Sequence, residues 1–224
     1  RDAAEVEKVV NSPLLGTLPQ LPEGKTTVER EDFMMSESMH LIRENLNYLI
    51  KRKESPVIMV SSTIPREGKS LVAAHLANAY AKAGKKVIVI GCDLRNPRLN
   101  EYFKLENRKG LSAYLAGMVD DPSKIIEKVE ENLYVIFGGT VPPNPTQLIA
   151  SPRMQELLAI LKKDFSYIIL DTPPLGILAD GFSLSGYADA CVYVIRANVL
   201  DKKGLRVISD LEKGNRLENL GIVV

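Results

Sequence analysis

The chain alternates between short runs that are apolar throughout and longer stretches with apolar residues at helical spacing. Runs of the first kind predict strands, at 56–62, 85–91, 133–139, 167–171, 190–197 and 220–224. Stretches of the second kind predict helices, at 69–84, 111–117, 122–130, 145–165 (with a break near Ser151) and 202–215. Strands without polar alternation are buried on both faces. The order therefore predicts an α/β fold, with a mostly parallel central sheet and helices on both faces.

The first 55 residues follow a different pattern. Residues 1–10 have the composition of a short helix, and the Pro- and Gly-rich stretch 12–25 predicts an extended connector. A longer helix is predicted over 31–53, with apolar residues at helical spacing: Phe33, Met34, Ile42, Leu46, Leu49 and Ile50. We therefore divide the chain into a connector segment, 1–30, and a single domain, 31–224.

Composition narrows the function classes. The 224 residues suffice for one well-packed domain, and the net charge of +1 gives no argument for nucleic acid as a partner. The two cysteines indicate neither a disulfide framework nor a metal site and fit a reducing cytoplasm. Since the chain starts at Arg1 and no run is apolar enough to span a membrane, we expect an excised cytoplasmic fragment.

A phosphate-binding loop is predicted between the first of these strands and its helix, in the sequence "SSTIPREGKS" (61–70). Gly68 lets the backbone approach a phosphate closely, Lys69 would reach the β- and γ-phosphates, and the Ser70 hydroxyl would bind Mg²⁺. Thr63 stands where the consensus has its first glycine. The predicted nucleotide-binding residues are Pro65, Arg66, Glu67, Gly68, Lys69, Ser70 and Leu71.

Two further strands end in charged residues. Asp171 ends "YIILD" and precedes Thr172-Pro173-Pro174, a stiff segment that resembles a switch. Asp93 and Arg95 follow "VIVIG". Ligands of parallel sheets bind at the carboxyl ends of the strands. We therefore predict that Asp93 and Asp171 share a Mg²⁺ with Ser70, and that Arg95 contacts phosphate or pairs with an acid.

Together, "TIPREGKS", "VIVIGCDLR" and "IILDTPP" resemble the three nucleotide motifs of the bacterial tyrosine kinases. "SPLLGTLP" (12–19) is similar to the family's linker from the membrane helix, and "GGTVPPNPTQLIASPRM" (138–154) to its proline-rich loop. The resemblance implies a P-loop NTPase-like fold and autophosphorylation with ATP and Mg²⁺, linked to capsular or exopolysaccharide export. It implies Lys69, Asp93, Arg95 and Asp171 as the catalytic residues.

The resemblance also implies partners and a location. The expected partners are the chain's own C-terminal tyrosine tail, neighbouring subunits of a ring, a membrane polysaccharide co-polymerase and a tyrosine phosphatase. The expected location is the cytoplasmic face of the bacterial inner membrane. The family's tyrosine cluster is absent up to Val224, and we expect it beyond this fragment.

Two positions depart from the family pattern. Gly91 stands where the family has the first aspartate of its middle motif, which the family uses to activate the tyrosine hydroxyl, so Asp93 becomes the substitute base. The family's oligomerisation motif, Glu-x-x-Arg-x-x-Arg, corresponds here to Glu37, His40 and Arg43. Histidine offers fewer donors than arginine and is only partly charged near neutral pH, so a weaker ring is expected.

Two alternatives remain open from the sequence. One is a nucleotide-binding pseudokinase that acts as an assembly scaffold, which Gly91 keeps possible. The other is an ATPase of the MinD/ParA type, whose signature lysine would stand at position 64, where this chain has Ile64.

Overall fold

The structure, a computed structural model, describes residues 3–20, 27–176, 179–199 and 202–224. The strands are β1 Leu14–Gly16, β2 Val57–Ser62, β3 Val87–Gly91, β4 Glu127–Glu130, β5 Leu133–Ile136, β6 Tyr167–Asp171, β7 Ala190–Val194 and β8 Leu220–Val223. The α-helices are α1 Ala3–Glu7, α2 Phe33–Ile50, α3 Lys69–Lys82, α4 Leu111–Leu115, α5 Pro145–Ile149, α6 Pro152–Asp164, α7 Ala179–Ser185 and α8 Lys202–Lys213. Short 3-10 helices lie at Val28–Arg30, Leu99–Phe103 and Pro122–Lys124.

All the strands of the described chain belong to one sheet, in the order β1-β8-β7-β2-β6-β3-β5-β4. Every neighbouring pair is parallel except β4 with β5. The strand β2, which precedes the predicted phosphate loop, lies between β6 and β7. The carboxyl ends of β2, β3 and β6 therefore meet at one edge of the sheet, as the sequence predicted.

Helices cover both faces of the sheet, which confirms the predicted α/β class. Helices α2 and α3 pack on one face, against side chains such as Ile58, Val89 and Val192. Helices α4 to α8 pack on the other face, against Met59 and Ile90 among others. Successive strand residues are buried on opposite faces, which explains why these strands are apolar without alternation.

The predicted elements differ from the observed ones in two places. The helix predicted over 122–130 is wrong: a 3-10 turn at Pro122–Lys124 is followed by β4, whose side chains alternate between exposed and partly buried. This alternation is typical of an antiparallel edge strand. Phe33 and Met34, predicted on the apolar face of α2, are 76% and 62% exposed, because the buried stripe runs through Met35, Met39, Ile42, Leu46 and Ile50.

The connector is tied to the domain along its described part. β1 pairs with β8 at the edge of the sheet, and the Glu212 carboxylate accepts hydrogen bonds from Asn11 and Ser12. The part of the predicted connector at 21–25 lies outside the described residues. Among the described residues, the helices are too short or too polar for a membrane span.

Candidate active site

The loop from Thr63 to Gly68 joins β2 to the N-terminus of α3. Gly68 has a φ of +96° and Arg66 a φ of +67°, so the backbone turns through the left-handed region twice before the helix begins. This geometry aims successive amides at one point in front of the helix, where the helix dipole favours an anion. The loop therefore has the shape of a phosphate cradle, and the Lys69 side chain, which is mostly buried, lies at its end.

A cleft of about 130 Å³ opens in front of this loop. The loop and the start of α3 contribute Pro65, Arg66, Gly68, Lys69 and Ser70. The segment after β3 contributes Asp93, Arg95, Asn96, Arg98 and Tyr102, and the segment after β6 contributes Pro174. The cleft thus joins the three strand ends that the sequence singled out.

Two of the predicted nucleotide-binding residues lie outside the lining of the cleft. The Glu67 carboxylate is folded into the loop, where its Oε2 accepts a hydrogen bond from Ile64 N at 2.9 Å. Burial raises the pKa of Glu67, and the backbone amides of Ile64, Arg196 and Thr63 oppose that rise. Leu71 packs against the core. Glu67 therefore braces the loop from inside and does not face the cleft.

Ser70 and Asp171 form the centre of the candidate metal site. Ser70 Oγ donates a hydrogen bond to Asp171 Oδ2 at 2.6 Å, while the buried Asp171 Oδ1 has no hydrogen-bond partner. Burial raises the pKa of Asp171 to about 6, although Lys69 and the Ser70 hydrogen bond oppose the rise. A buried carboxylate with one free oxygen next to a hydroxyl fits Mg²⁺.

The donor set is small, as Mg²⁺ sites in phosphate-transfer enzymes commonly are. In the part of the chain that the structure describes, no group of three or more His, Cys, Asp or Glu side chains converges on a metal position. Mg²⁺ usually takes one or two carboxylates, and water and substrate phosphates complete its octahedron. Asp171 and Ser70 are sufficient for this mode, and the predicted share of Asp93 in the metal site stays a prediction.

Asp93 lies in the same cleft as Lys69. Its Oδ1 accepts a hydrogen bond from Asn96 N at 3.2 Å, which closes a turn immediately after β3. Burial raises the pKa of Asp93, and the charge of Lys69 and the backbone amides of Asn96 and Arg95 oppose that rise. A carboxylate whose pKa is moved upward, towards neutrality, is suited to accept a proton.

Arg95 pairs with an acid, which is one of the two contacts predicted for it. Its Nε donates to Asp180 Oδ2 at 2.9 Å, and its Nη2 donates to Thr146 Oγ1 at 2.7 Å. Asp180 is buried in α7, just after the switch-like segment, and Thr146 is in the proline-rich loop's helix α5. Arg95 thus connects the cleft to both segments.

Gly91 lies close to the backbone of Phe137 and Gly138, after β5. A Cβ built at Gly91 would lie 3.1 Å from Gly138 N and 3.6 Å from both Leu99 Cδ2 and the carbonyl carbon of Phe137. The contact with Gly138 N is tighter than an ordinary van der Waals contact, so the Gly138 backbone would have to shift by a few tenths of an ångström to admit a side chain.

The phosphate loop and the switch-like segment touch directly. Leu175 N donates to Ser62 O at 2.8 Å, and Gly176 N donates to Thr63 O at 3.1 Å. A Cβ at Gly176 would lie 2.3 Å from Thr63 O, so only glycine fits there. Thr63 Oγ1 in turn is 3.0 Å from the Tyr193 hydroxyl. Thr63, the departure from the loop consensus, is therefore part of the loop's packing.

The three residues of the predicted oligomerisation motif do not share one environment. Glu37 and His40 are exposed on α2, whereas the Arg43 side chain is only 12% exposed and its Nη1 donates to Ala79 O of α3 at 2.9 Å. Arg43 Nη2 lies 2.9 Å from His40 Nδ1. Because arginine can only donate, Nδ1 accepts, a role that the neutral imidazole fills.

Sequence reasoning assigned no role to Arg98 or Tyr102. Arg98 stands five residues after Asp93, just before the 3-10 helix Leu99–Phe103, and Tyr102 stands nine residues after Asp93, within that helix. A short irregular helix has no periodicity that would reveal its orientation, so the sequence held no clear signal for either residue.

Comparisons with known proteins agree with this geometry. The family model of the CobQ/CobB/MinD/ParA nucleotide binding domain matches residues 58–224. The chain is 36% identical over 168 residues to the tyrosine-protein kinase YwqD of Bacillus subtilis, which covers 75% of this chain and 71% of YwqD. It is 27% identical to the tyrosine-protein kinase ptk of Acinetobacter johnsonii, over the whole of this chain but only 32% of that protein.

Among solved structures, the chimerical protein CapA2B2 superposes with a TM-score of 0.88 at 29% identity. The match covers 99% of this chain and 98% of CapA2B2. It therefore includes the segment before residue 58 as well as the nucleotide-binding fold. The predicted P-loop NTPase-like class is confirmed.

Proposed function

The chain belongs to the bacterial protein-tyrosine kinases, and on that premise we propose how its cleft transfers the γ-phosphoryl group of ATP to a tyrosine hydroxyl. The observation that carries the proposal is that Lys69, Ser70 and Asp93 line one cleft. The buried carboxylate of Asp171 joins them by accepting a hydrogen bond from Ser70. Phosphoryl transfer needs a phosphate-binding loop, a cation, a metal site and a base. Lys69 can serve as the cation, Ser70 and Asp171 as the metal site, and Asp93 as the base.

Binding of the nucleotide is assigned to the phosphate loop. The amides of residues 66–70 and the N-terminus of α3 hold the β- and γ-phosphates, and Lys69 neutralises charge on them. Ser70 and Asp171 would hold Mg²⁺, which would supply positive charge beside the phosphates. Asp171 would hold the ion as the ionised carboxylate, although burial raises the pKa of this group to about 6.

Acceptance of the tyrosine proton is assigned to Asp93. As the phenolic oxygen bonds to the γ-phosphorus, the bond from that phosphorus to the bridging oxygen breaks, and ADP leaves. The phenolic proton passes to Asp93. Arg95 holds Asp93's segment against α7 and α5 through Asp180 and Thr146, so it positions the base.

Assembly is assigned to the outer face of α2. Glu37 and His40 are exposed there beside Phe33, Met34 and Leu41, which are more than half exposed. Apolar side chains next to charged ones are common at contacts between subunits. We propose a head-to-tail ring through this face, in which Arg43 supports the helix of its own subunit. A charge at Leu41 (Leu41→Glu) should reduce assembly in sedimentation, and an unchanged distribution would contradict the ring.

The acceptor, the partners and the cellular location are proposed from membership of the family. We propose the chain's own C-terminal tyrosine tail as its acceptor, and a membrane polysaccharide co-polymerase and a tyrosine phosphatase as its partners. Their place would be the cytoplasmic face of the bacterial inner membrane. The relatives YwqD and ptk, both named tyrosine-protein kinases, support a kinase over a partitioning ATPase.

The deciding experiment measures phosphotransfer directly. The protein is incubated with Mg·ATP and a synthetic tyrosine peptide, and phosphotyrosine is counted by mass spectrometry. Lys69→Met should lower the rate by about 10²- to 10³-fold, because it removes one stabilising charge from the transition state. Lys85→Met, at an exposed position beyond α3, is the matched control and should keep the wild-type rate. Binding of ATP without any phosphotyrosine in the wild type would instead indicate a nucleotide-binding scaffold.

A further inference from the structure

The cleft has two walls that differ in origin. The phosphate loop forms one wall, with Pro65, Arg66 and Gly68. The segment after β3 forms the other, with Asp93, Asn96, Arg98 and Tyr102 facing across the cleft. If the nucleotide occupies the loop wall, the incoming tyrosine has to approach along the second wall, where the proposed base Asp93 lies.

The second wall carries two arginines, and they are not equivalent. Arg95 is held by the buried Asp180 carboxylate and by Thr146. Arg98 is paired, among the described residues, with Glu101 at 3.2 Å, and both side chains are about half exposed. An exposed pair three residues apart contributes little stability, so a better placed anion can replace Glu101 at small cost. Arg98 is therefore the cation of this wall that a ligand can engage.

Tyr102 adds an aromatic surface beside Arg98. It lines the cleft and is partly buried against the core of the α3 face. Burial raises the pKa of its hydroxyl, the charges of Asp171 and Glu101 add to that rise, and Arg98 opposes it. The phenol therefore stays neutral at physiological pH and presents a ring against which another aromatic ring can pack.

We propose that Arg98 and Tyr102 form the acceptor subsite, and that this subsite selects tyrosines flanked by acidic side chains. The proposal rests on the kinase function proposed above. Tyr102 packs against the phenol of the acceptor, which brings the acceptor hydroxyl to Asp93. Arg98 pairs with a carboxylate next to the acceptor tyrosine, through the charge-assisted hydrogen bonds that a guanidinium forms with a carboxylate.

The test uses three synthetic peptides that differ only beside a single tyrosine. The flanking residues are glutamate in the first, glutamine in the second and lysine in the third. Phosphotransfer from Mg·ATP is measured for each peptide with the full 224-residue chain. The wild type should show a kcat/KM about tenfold higher for the glutamate peptide than for the glutamine peptide, and lower still for the lysine peptide.

Variants at the two positions separate charge from packing. Arg98→Glu should reverse the order of the peptides, so that the lysine peptide becomes the better substrate. Arg98→Gln should reduce the glutamate-to-glutamine ratio to near one. Tyr102→Ala should raise KM for all three peptides while leaving their ratios in place, since it removes the ring and keeps the guanidinium. Ratios within one preparation cancel any loss of folded protein.

A matched control removes the effect of net charge. Arg108 is exposed and paired with a nearby glutamate, Glu106, in the same way as Arg98, but it lies outside the cleft. Arg108→Glu changes the net charge equally and should keep the wild-type order of peptides. The KM for ATP is recorded in parallel, because a change confined to ATP would place Arg98 at the nucleotide and overturn the proposal.

The outcomes distinguish this inference from the function beneath it. If the wild type phosphorylates none of the peptides and none of its own tyrosines, the kinase proposal fails. If it phosphorylates all three peptides at similar kcat/KM, or if Arg98→Glu keeps the wild-type order, the kinase proposal stands and the acceptor subsite is wrong.

Discussion

The cleft and the outer face of α2 both carry motifs of a known family, but only in the cleft do the motif residues come together as the sequence predicts. In the cleft, residues from three distant segments come together, and Ser70 contacts Asp171 across 101 positions of sequence. On α2, three residues spaced a turn apart are divided: Glu37 and His40 face outward, and Arg43 bonds to α3 of the same molecule.

The difference has a physical cause. Parallel strands deliver their last residues to one edge of the sheet, so strand-end motifs meet whatever the intervening sequence is. Residues three apart on a helix share a face only approximately, and a long side chain at the border can turn to either side. A motif on a helix therefore predicts which residues are neighbours, but it does not predict the direction in which each side chain points.

The largest effect on activity is expected for Asp171→Asn, which changes the cleft and leaves α2 untouched. Loss of the carboxylate that we propose to bind Mg²⁺ should lower the phosphotransfer rate by about 10²- to 10³-fold. The same change should stabilise the nucleotide-free protein at neutral pH, because it removes a buried charge. Rate assays and denaturant melts at pH 7 check both halves. A variant that is inactive and also less stable would argue that Asp171 mainly holds the fold.

The pH dependence of that stability has a definite sign. The folded protein keeps the Asp171 proton up to a pKa of about 6, whereas the unfolded chain releases it near 3.8. Between these values the folded state binds more protons, so the free energy of unfolding should fall with rising pH, by about 3 kcal/mol in total. The difference between wild type and Asp171→Asn, measured from pH 4 to pH 7, isolates this contribution from those of other acids.

A smaller effect is expected at Gly91, where the family's first aspartate is missing. Gly91→Asp should lower the free energy of unfolding by about 1–3 kcal/mol, because its Cβ crowds the Gly138 backbone. It should give no gain in phosphotransfer rate. Gly91→Ala adds the Cβ alone, so a similar loss there would attribute the cost to packing. A faster Gly91→Asp enzyme would show that the loop after β5 moves to admit the carboxylate.

On the helix side of the comparison, Arg43→Ala should destabilise the protein by about 1–2 kcal/mol. The change removes a charge-assisted hydrogen bond to the Ala79 carbonyl and the packing of a mostly buried side chain. His40→Ala, at the exposed neighbour, should change stability by less than about 0.5 kcal/mol. Thermal melts of the two variants make the test, and equal losses would contradict the inward assignment of Arg43.

The smallest effect is expected in the phosphate loop at Arg66, which has a φ of +67°. Arg66→Gly should raise the free energy of unfolding by about 0.5 kcal/mol, since relief of the left-handed strain slightly exceeds the added entropy of the unfolded chain. Arg66→Ala removes the same charge but keeps the strain, so it should give no gain. A gain in both variants would point to charge and not to the backbone.

The parts of the molecule that the sequence predicted well are those with strong local patterns. The strand β6 occupies the predicted residues 167–171, and the helix predicted over 145–165 is broken at Ser151, which caps α6. The convergence of Lys69, Asp93 and Asp171 followed from strand ends alone. Their roles in catalysis stay predictions until the kinetics are measured.

The parts that the sequence could not predict depend on distant contacts. β4 is a strand because β5 pairs with it, although its four residues, Glu127–Glu130, carry little local strand signal. Arg98 and Tyr102 face the cleft because of how an irregular segment folds after β3. The crowding of a side chain at position 91 comes from the backbone of Gly138, 47 positions away along the chain.

The pairing of β1 with β8 also determines when the sheet can be completed during translation. Ile222, the partner of Leu14, is added to the growing chain about 200 residues after Leu14. At typical rates of translation this interval lasts roughly 10–40 s. During it the N-terminal strand has no edge to join, although the sheet from β2 to β7 can already form. The sheet can therefore close at β1 only after β8 has been synthesised.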